Sequence, residues 1–147
     1  MHNDYSIRQI FTDKDLASTR LIRQQVFVEE QGIPAELDED GLDENAIHVL
    51  ISINEQAQAT ARMIINSERE GVIARVAVLA AVRGRGYGKL LMAELENIAV
   101  RLELKRLSLH PHHYLERFYA NMGFTIVPGE TELAGEHLLV KMEKILS

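Results

Sequence analysis

Arg83, Gly84, Arg85, Gly86, Tyr87, Gly88 and Lys89 follow one another, so three of the chain's nine glycines fall within five residues, among three basic side chains. The stretch before them, Val72 to Val82, is apolar but for Arg75, and the stretch after, Leu90 to Leu104, has a helical pattern. A helix start exposes unpaired N–H groups and carries about half a positive charge. Glycine lets the main chain close around an anion. The chemistry that fits is capture of a phosphate or pyrophosphate.

Two common phosphate loops fail here. A P-loop needs a glycine five residues before Gly88, where Arg83 stands, and a hydroxyl after the lysine, where Leu90 stands. The dinucleotide fingerprint needs its last glycine one residue later than Gly88.

Other residues suited to proton transfer are scattered. Tyr119 lies in Phe118-Tyr119-Ala120-Asn121-Met122-Gly123-Phe124. His48 and His137 have an intrinsic pKa near 6.5, right for a base, though each equally suits a sheet or core position. Glu29, Glu30 and Glu36 are acidic candidates for the same task. His110-Pro111-His112-His113 invites a metal reading, but adjacent side chains diverge and no acid accompanies them, so no metal site is expected. Residues 29–44 hold eight acids and no base, a loop that either attracts a cationic amine or is simply solvated.

The elements that must position these groups read as follows. A strand covers 5–11, and a helix spans Asp13 to Gln31, with Leu16, Leu21, Ile22, Val26 and Phe27 approximating a 3.6-residue period. The acids from Glu36 to Glu44 form a loop. Ala46–Ile53 and Gln56–Ile65 form a hairpin about Asn54-Glu55, and Val72–Leu79 is a further strand. A second helix starts near Gly86, with Leu91, Leu95, Ile98 and Leu102 on one face. A strand over 106–110, a short helix over 114–122 stopped by Gly123, and strands over 124–127 and 137–142 complete the order. Such a mixed order implies an α/β or α+β fold, a sheet covered by helices.

The chain of 147 residues fits a single domain, 1–147, with ordinary globular apolar and charged content. The lack of cysteine excludes disulfides, thiol catalysis and cysteine-bound zinc. A net charge of −6 disfavours general nucleic-acid binding. The longest uninterrupted apolar run, Val76 to Val82, is far short of the roughly 20 residues that span a bilayer. MHNDYSIRQI shows no signal-peptide pattern. A cytoplasmic protein without a membrane or nucleic-acid partner, as monomer or homodimer, is the expectation.

The spacing from Arg83 to Gly88 matches [Q/R]-x-x-G-x-[G/A], and in this it resembles the coenzyme A loop of the GCN5-related N-acetyltransferase (GNAT) superfamily. Phe118 to Phe124 resembles that family's F-Y-x-x-x-G-F segment at the family's usual distance downstream. Arg23 to Pro34 is similar to the R-x-x-V-F-V-x-E-Q-x-x-P opening of the ElaA-like branch, and Asp43 to His48 to its D-x-x-[AS]-x-H. Ala134 to Leu138 resembles its G-I-P-H-x segment with the isoleucine and proline replaced. The resemblance runs from about Arg23 to Met142.

It implies a mixed, mostly antiparallel central sheet, splayed at the cofactor site and flanked by helices. It also implies an acetyl-CoA-dependent N-acetyltransferase acting on a primary amine of a small molecule or peptide by direct attack in a ternary complex. Acetyl-CoA is then the co-substrate, with no metal. Arg83, Gly84, Arg85, Gly86, Tyr87, Gly88 and Lys89 would hold the pyrophosphate. Backbone N–H groups of Val76, Ala77 and Val78 would bond the pantetheine arm and polarise the thioester carbonyl. Tyr119 would be the general acid, His137 or His48 the base, and Phe27, Glu29, Glu30 and Glu36 would face the acceptor. The alternative is a non-catalytic coenzyme A-binding sensor or regulatory module on the same fold.

Overall fold

The structure is a computed structural model that describes residues 5–147; the first four residues of the N-terminal stretch lie outside the described residues. Its centre is one seven-stranded sheet in the order β1-β2-β3-β4-β5-β7-β6. The strands are β1 (Tyr5–Gln9), β2 (Ile47–Ile53), β3 (Gln56–Ile65), β4 (Glu70–Val78), β5 (Arg106–Leu109), β6 (Thr125–Ala134) and β7 (His137–Ile145). Four helices accompany them: α1 (Asp13–Arg23), α2 (Ala35–Asp38), α3 (Tyr87–Arg101) and α4 (Glu116–Ala120). The architecture is mixed α/β, as the element order requires.

All neighbours pair antiparallel except β4 and β5, which are parallel. A parallel pair needs a crossover, and α3 supplies it. Asn54 and Glu55 both take positive φ, 50° and 67°, in the two-residue connection between β2 and β3. Two residues in that conformation match the twist of a tight hairpin.

The periodicities place the core. Val49, Ile51 and Ile53 alternate on β2 towards one face, where Leu91, Leu95 and Ile98 of α3 meet Met63, Ile73, Leu107 and Met142. Leu91 and Leu95 are fully buried, each burial contributing about 1.5–3 kcal/mol. Leu102, expected on the same stripe, lies one residue past the helix end and is 46% exposed. The opposite face is smaller, with Ile10, Ile22, Val26, Leu50 and Ala77 under α1.

The first helix departs from its expected form. It is α-helical only to Arg23 and continues as a π-helix from Gln24 to Glu30. The buried stripe runs through Thr19, Ile22, Arg23 and Val26 at ordinary helical spacing, so Leu21 lies off it and is exposed. The acidic stretch is also more ordered than a loop, since it holds α2 and a 3₁₀ turn at Asp43–Asn45. The closing hairpin runs longer than expected at both strands: β6 pairs with β7 out to Ala134 and His137, and β7 runs on to Ile145 beside β5.

Candidate active site

Pairing between β4 and β5 stops at Ile73 and Leu109. Beyond that point β4 continues to Val78, whereas the chain after β5 stays with β7. Val140 N–H donates to the Pro111 carbonyl at 3.0 Å, and His112 bridges to Leu139. A gap therefore opens between residues 74–78 and residues 110–112, the splay implied by the family resemblance.

β4 also carries a bulge beside this gap. Thr60 pairs with Ala77 and Arg62 with Ala74, so Ala61 alone faces both Arg75 and Val76. Arg75 takes φ of 56°, a conformation usually left to glycine at bulges. Leu79 N–H donates to Gln58 of β3 at 3.0 Å. Main-chain groups alternate sides along a strand, so Ala77 is also turned towards β3, while Val76 and Val78 face the gap. The Val78 carbonyl agrees, because it accepts from Arg83 Nε at 2.9 Å on that side. Of the three residues expected to offer N–H groups to a ligand, Ala77 is thus committed to the sheet.

The gap leads to the glycine run. Gly84 and Gly86 take φ of 79° and 85°, and an added Cβ at either would meet nothing within 4 Å. Both sit beside open space. Gly86 caps α3 without any side-chain hydrogen bond. The first N–H bonded within the helix turn is that of Leu90, to the Gly86 carbonyl at 3.2 Å. The amides of Tyr87, Gly88 and Lys89 thus point outward, a cradle for an anion of pyrophosphate size.

Side chains of the run divide between two tasks. Arg85 and Lys89 are exposed beside the cradle. Arg83 instead bonds the Val78 carbonyl and pairs with Glu30 at 2.7 Å. Tyr87 turns inward, 7% exposed, with its ring edge-on to Tyr5 at 6.0 Å. Only its backbone remains for a ligand.

Tyr119 lies on α4, 7% exposed, its ring 5.0 Å from Phe118 and 6.2 Å from Phe124. A Cβ on Gly88 would stand 3.5 Å from the Phe118 ring, so the two sequence motifs meet in space. Burial pushes the Tyr119 phenol upward from 10.0, so it is a protonated hydroxyl at neutral pH. Among the described residues that hydroxyl makes no hydrogen bond.

The acceptor-side candidates lie on two elements. Phe27, Glu29 and Glu30 belong to the π-helix, and Phe27 packs on the smaller core beside Leu79. Glu36 is exposed on α2. The acidic stretch itself is mostly not a free field for an amine. Asp38 is bound by Arg23 and Arg75, Asp40 by Arg62 and Arg75, and Asp43 by Arg20, Arg23 and Arg62. Arg62 holds Asp40 down to about 2 with two hydrogen bonds. Only Glu36, Glu39 and Glu44 remain outside these ion pairs among the acids from 36 to 44.

The histidines separate clearly. His48 is 4% exposed and donates Nε2–H to the Asp43 carbonyl at 2.9 Å. Burial lowers its pKa from 6.5, so it is a neutral anchor for the Asp43 turn, remote from solvent. His137 is exposed at the start of β7, with its ring 4.9 Å from that of His112. His112 stacks on Tyr114 at 5.2 Å, and burial, then His137, then His113 keep its pKa low. Three residues past the last β4–β5 pair, Val76 and His112 stand on opposite walls of the gap. Sequence reasoning weighed His112 only within the His110–His113 cluster and gave it no part in proton transfer. The signal that could have found it was its position just beyond a strand that must splay.

The sequence profile of the acetyltransferase (GNAT) family matches residues 8–124. Over 142 residues the chain is 32% identical to protein YyaT of Bacillus subtilis (strain 168), covering 94% of this chain and 95% of that protein. Its fold is similar to that of an acyl-CoA N-acyltransferase from Pseudomonas aeruginosa, with TM-score 0.85, 29% identity and coverage of 97% and 99% of the two chains. Escherichia coli ElaA is similar with TM-score 0.84 and 26% identity, again over 97% and 99%. The profile match, the relatives and the splayed sheet lead to one conclusion: the chain belongs to the acetyltransferase (GNAT) family.

Proposed function

We propose that the protein transfers an acetyl group from acetyl-CoA to a primary amine of a small molecule or peptide, in a ternary complex. The observation that carries this reading is the continuity of the β4–β5 gap with the uncapped start of α3. One runs on to the other, as an extended pantetheine arm and its pyrophosphate would require. The similarity to an acyl-CoA N-acyltransferase supports the same co-substrate.

The amides of Tyr87 to Lys89 hold the pyrophosphate, with Arg85 and Lys89 adding charge. The main chain of Val76 and Val78 bonds the pantetheine arm and polarises the thioester carbonyl. Such preorganised donors are worth about 2.7–4 kcal/mol each in a transition state where negative charge gathers on oxygen.

The amine nitrogen attacks the carbonyl carbon and forms the C–N bond. The C–S bond then breaks, and sulfur leaves with the bonding pair. Tyr119 donates its proton to that sulfur, a role its protonated, unpartnered hydroxyl suits. The amine must lose a proton, since a free lysine-type amine has a pKa of about 10.4. His137, paired with His112 at the gap, receives it; both rings are free of side-chain hydrogen bonds among the described residues. Glu29 and Glu36 face the acceptor from the π-helix and α2. The domain comprises residues 1–147, with a cytoplasmic setting.

Thiol release from acetyl-CoA, followed with a panel of polyamines, amino acids and peptides, tests this. Turnover with at least one amine is expected. Tight coenzyme A binding with no thiol release across the panel would make the protein a coenzyme-binding module instead.

A further inference from the structure

Four of the five buried guanidinium and carboxylate side chains of the described residues lie behind the bulge. Arg23 is 1% exposed, Arg62 3%, Asp43 6% and Asp38 7%. Buried ion pairs are poor stabilisers, since desolvation offsets most of their attraction. An apolar packing of similar volume would hold a sheet face to a helix at least as well. The arrangement therefore calls for a positional explanation.

The geometry supplies one. Arg62 and Arg75 occupy the two arms of the bulge, Arg62 on β3 and Arg75 on β4. Asp40 binds both. Its carboxylate accepts from Arg62 Nη1 and Nη2 at 2.9 and 2.8 Å and from Arg75 Nη2 at 3.2 Å. Arg75 Nη2 also donates to the carbonyls of Leu37 and Asp38, each at 3.3 Å, and its Nε lies 3.0 Å from Asp38 Oδ1 as an ion pair without hydrogen-bond alignment. Asp38 in turn is locked by Arg23, whose Nε donates to Oδ2 at 3.1 Å and whose Nη2 donates to the carbonyl at 3.1 Å. A non-glycine residue at positive φ costs about 1–3 kcal/mol and persists only where its surroundings over-determine it. Here the surroundings are these aspartates.

We infer that Arg75 is a positioning residue: Asp38 and Asp40 clamp its guanidinium, which fixes the bulge and so aims the Val76 N–H into the gap. The inference rests on the gap being the thioester site. It assigns the acidic stretch a task other than attracting the acceptor. Its carboxylates set the direction of a main-chain donor one residue beyond Arg75.

The test uses Arg75→Gly, Asp40→Asn and, as a surface control, Asp15→Asn. Glycine adopts positive φ without strain, so Arg75→Gly removes the clamp but not the conformation's availability. In the free protein, the ¹⁵N–¹H resonances of Val76 and Ala77 are expected to shift or broaden in Arg75→Gly and Asp40→Asn. Those of Leu91 and Leu95 are expected to hold, as are all four in Asp15→Asn. Calorimetry with coenzyme A should give a Kd within about threefold of the parent, because the α3 cradle is untouched. With the best amine of the panel, kcat should fall about 10- to 100-fold, the scale of a misplaced reacting group.

Unchanged Val76 and Ala77 resonances in both variants would overturn the inference, as would an unchanged kcat. Should Arg75→Gly fail to fold, Asp40→Asn carries the test, since Asp40 is a surface-reaching partner with 26% of its side chain exposed. A parent protein that turns over no amine would sink the proposed function and leave the resonances to decide the clamp.

Discussion

Arg83 Nη2 lies 2.7 Å from Glu30 Oε2, and the same guanidinium donates through Nε to the Val78 carbonyl at 2.9 Å. One side chain thus ties the glycine run, the end of β4 and the π-helix together. It does so in place of presenting its charge to a phosphate.

This division of labour has a measurable consequence. The pair is exposed at both ends, so Glu30→Gln should change the unfolding free energy by less than about 1 kcal/mol. Acetyl-CoA affinity should change by less than about threefold. Arg83→Gln releases the Val78 carbonyl as well and should weaken binding by about tenfold, or about 1.4 kcal/mol. Calorimetry on the two variants separates the contributions, and equal losses would show that Arg83 acts only through its pair with Glu30.

Gly86 and Gly88 make a paired test of the cradle. Gly86→Ala forces a side chain to φ of 85° and should cost about 1–2 kcal/mol of stability, with a drop in acetyl-CoA affinity. Gly88→Ala puts its methyl at ordinary contact with Phe118, 3.5 Å away, and should leave the melting temperature unchanged or raise it. A harmless Gly86→Ala in both measurements would exclude the cradle.

Tyr119→Phe removes a hydroxyl without a hydrogen-bond partner among the described residues and keeps the ring contacts to Phe118 and Phe124. Stability should be unchanged and kcat should fall by about 10²-fold or more. Because burial raises the phenol's pKa, the parent's activity should not decline on the alkaline side until above pH 10 through this group. A phenylalanine variant with parental turnover would remove Tyr119 from the role.

Stability should depend on pH in two windows. His48 has a lowered folded-state pKa, so the unfolded chain binds its proton more readily. Stability is therefore lost as pH falls below about 6.5. His48→Gln, able to keep an N–H to Asp43 without titrating, should flatten that slope. Asp40 behaves as a carboxylate whose folded pKa is lowered from 3.8 to about 2. Its contribution is full above 3.8 and disappears as pH falls through about 2. Denaturant titrations between pH 8 and 2 check both, and a flat parental profile from about pH 7 to 5 would contradict the His48 assignment.

Local chemistry made several features legible without coordinates. The stripe of Leu91, Leu95 and Ile98 gave α3, the Asn54-Glu55 turn and the alternation after it gave the β2–β3 hairpin, and the valine-rich run 72–79 gave β4. The glycine spacing gave the start of α3, because the positive φ of Gly84 and Gly86 favours glycine. Tyr119 and the glycine run were each visible as motifs, and their resemblance to the GNAT family is borne out by the profile match.

What the sequence by itself determined, then, was each element whose signal is local: a period, a turn residue, a helix start. What only the tertiary structure decided was which charges meet. Arg23 reads as a polar break in an apolar stripe until Asp38 and Asp43, 15 and 20 residues on, are seen to enclose it. The acids of 38–43 read as a loop that either attracts an amine or is solvated, and Arg75 as an ordinary strand residue, for the same cause. The α-to-π change at Gln24 left no mark in the pattern, since one widened turn shifts a stripe only slightly. His112 and His137 met through the pairing of β7 with the chain beyond β5. Ion pairs and ring contacts are short-ranged, and the chain separation between partners carries no information about them until the sheet brings them together.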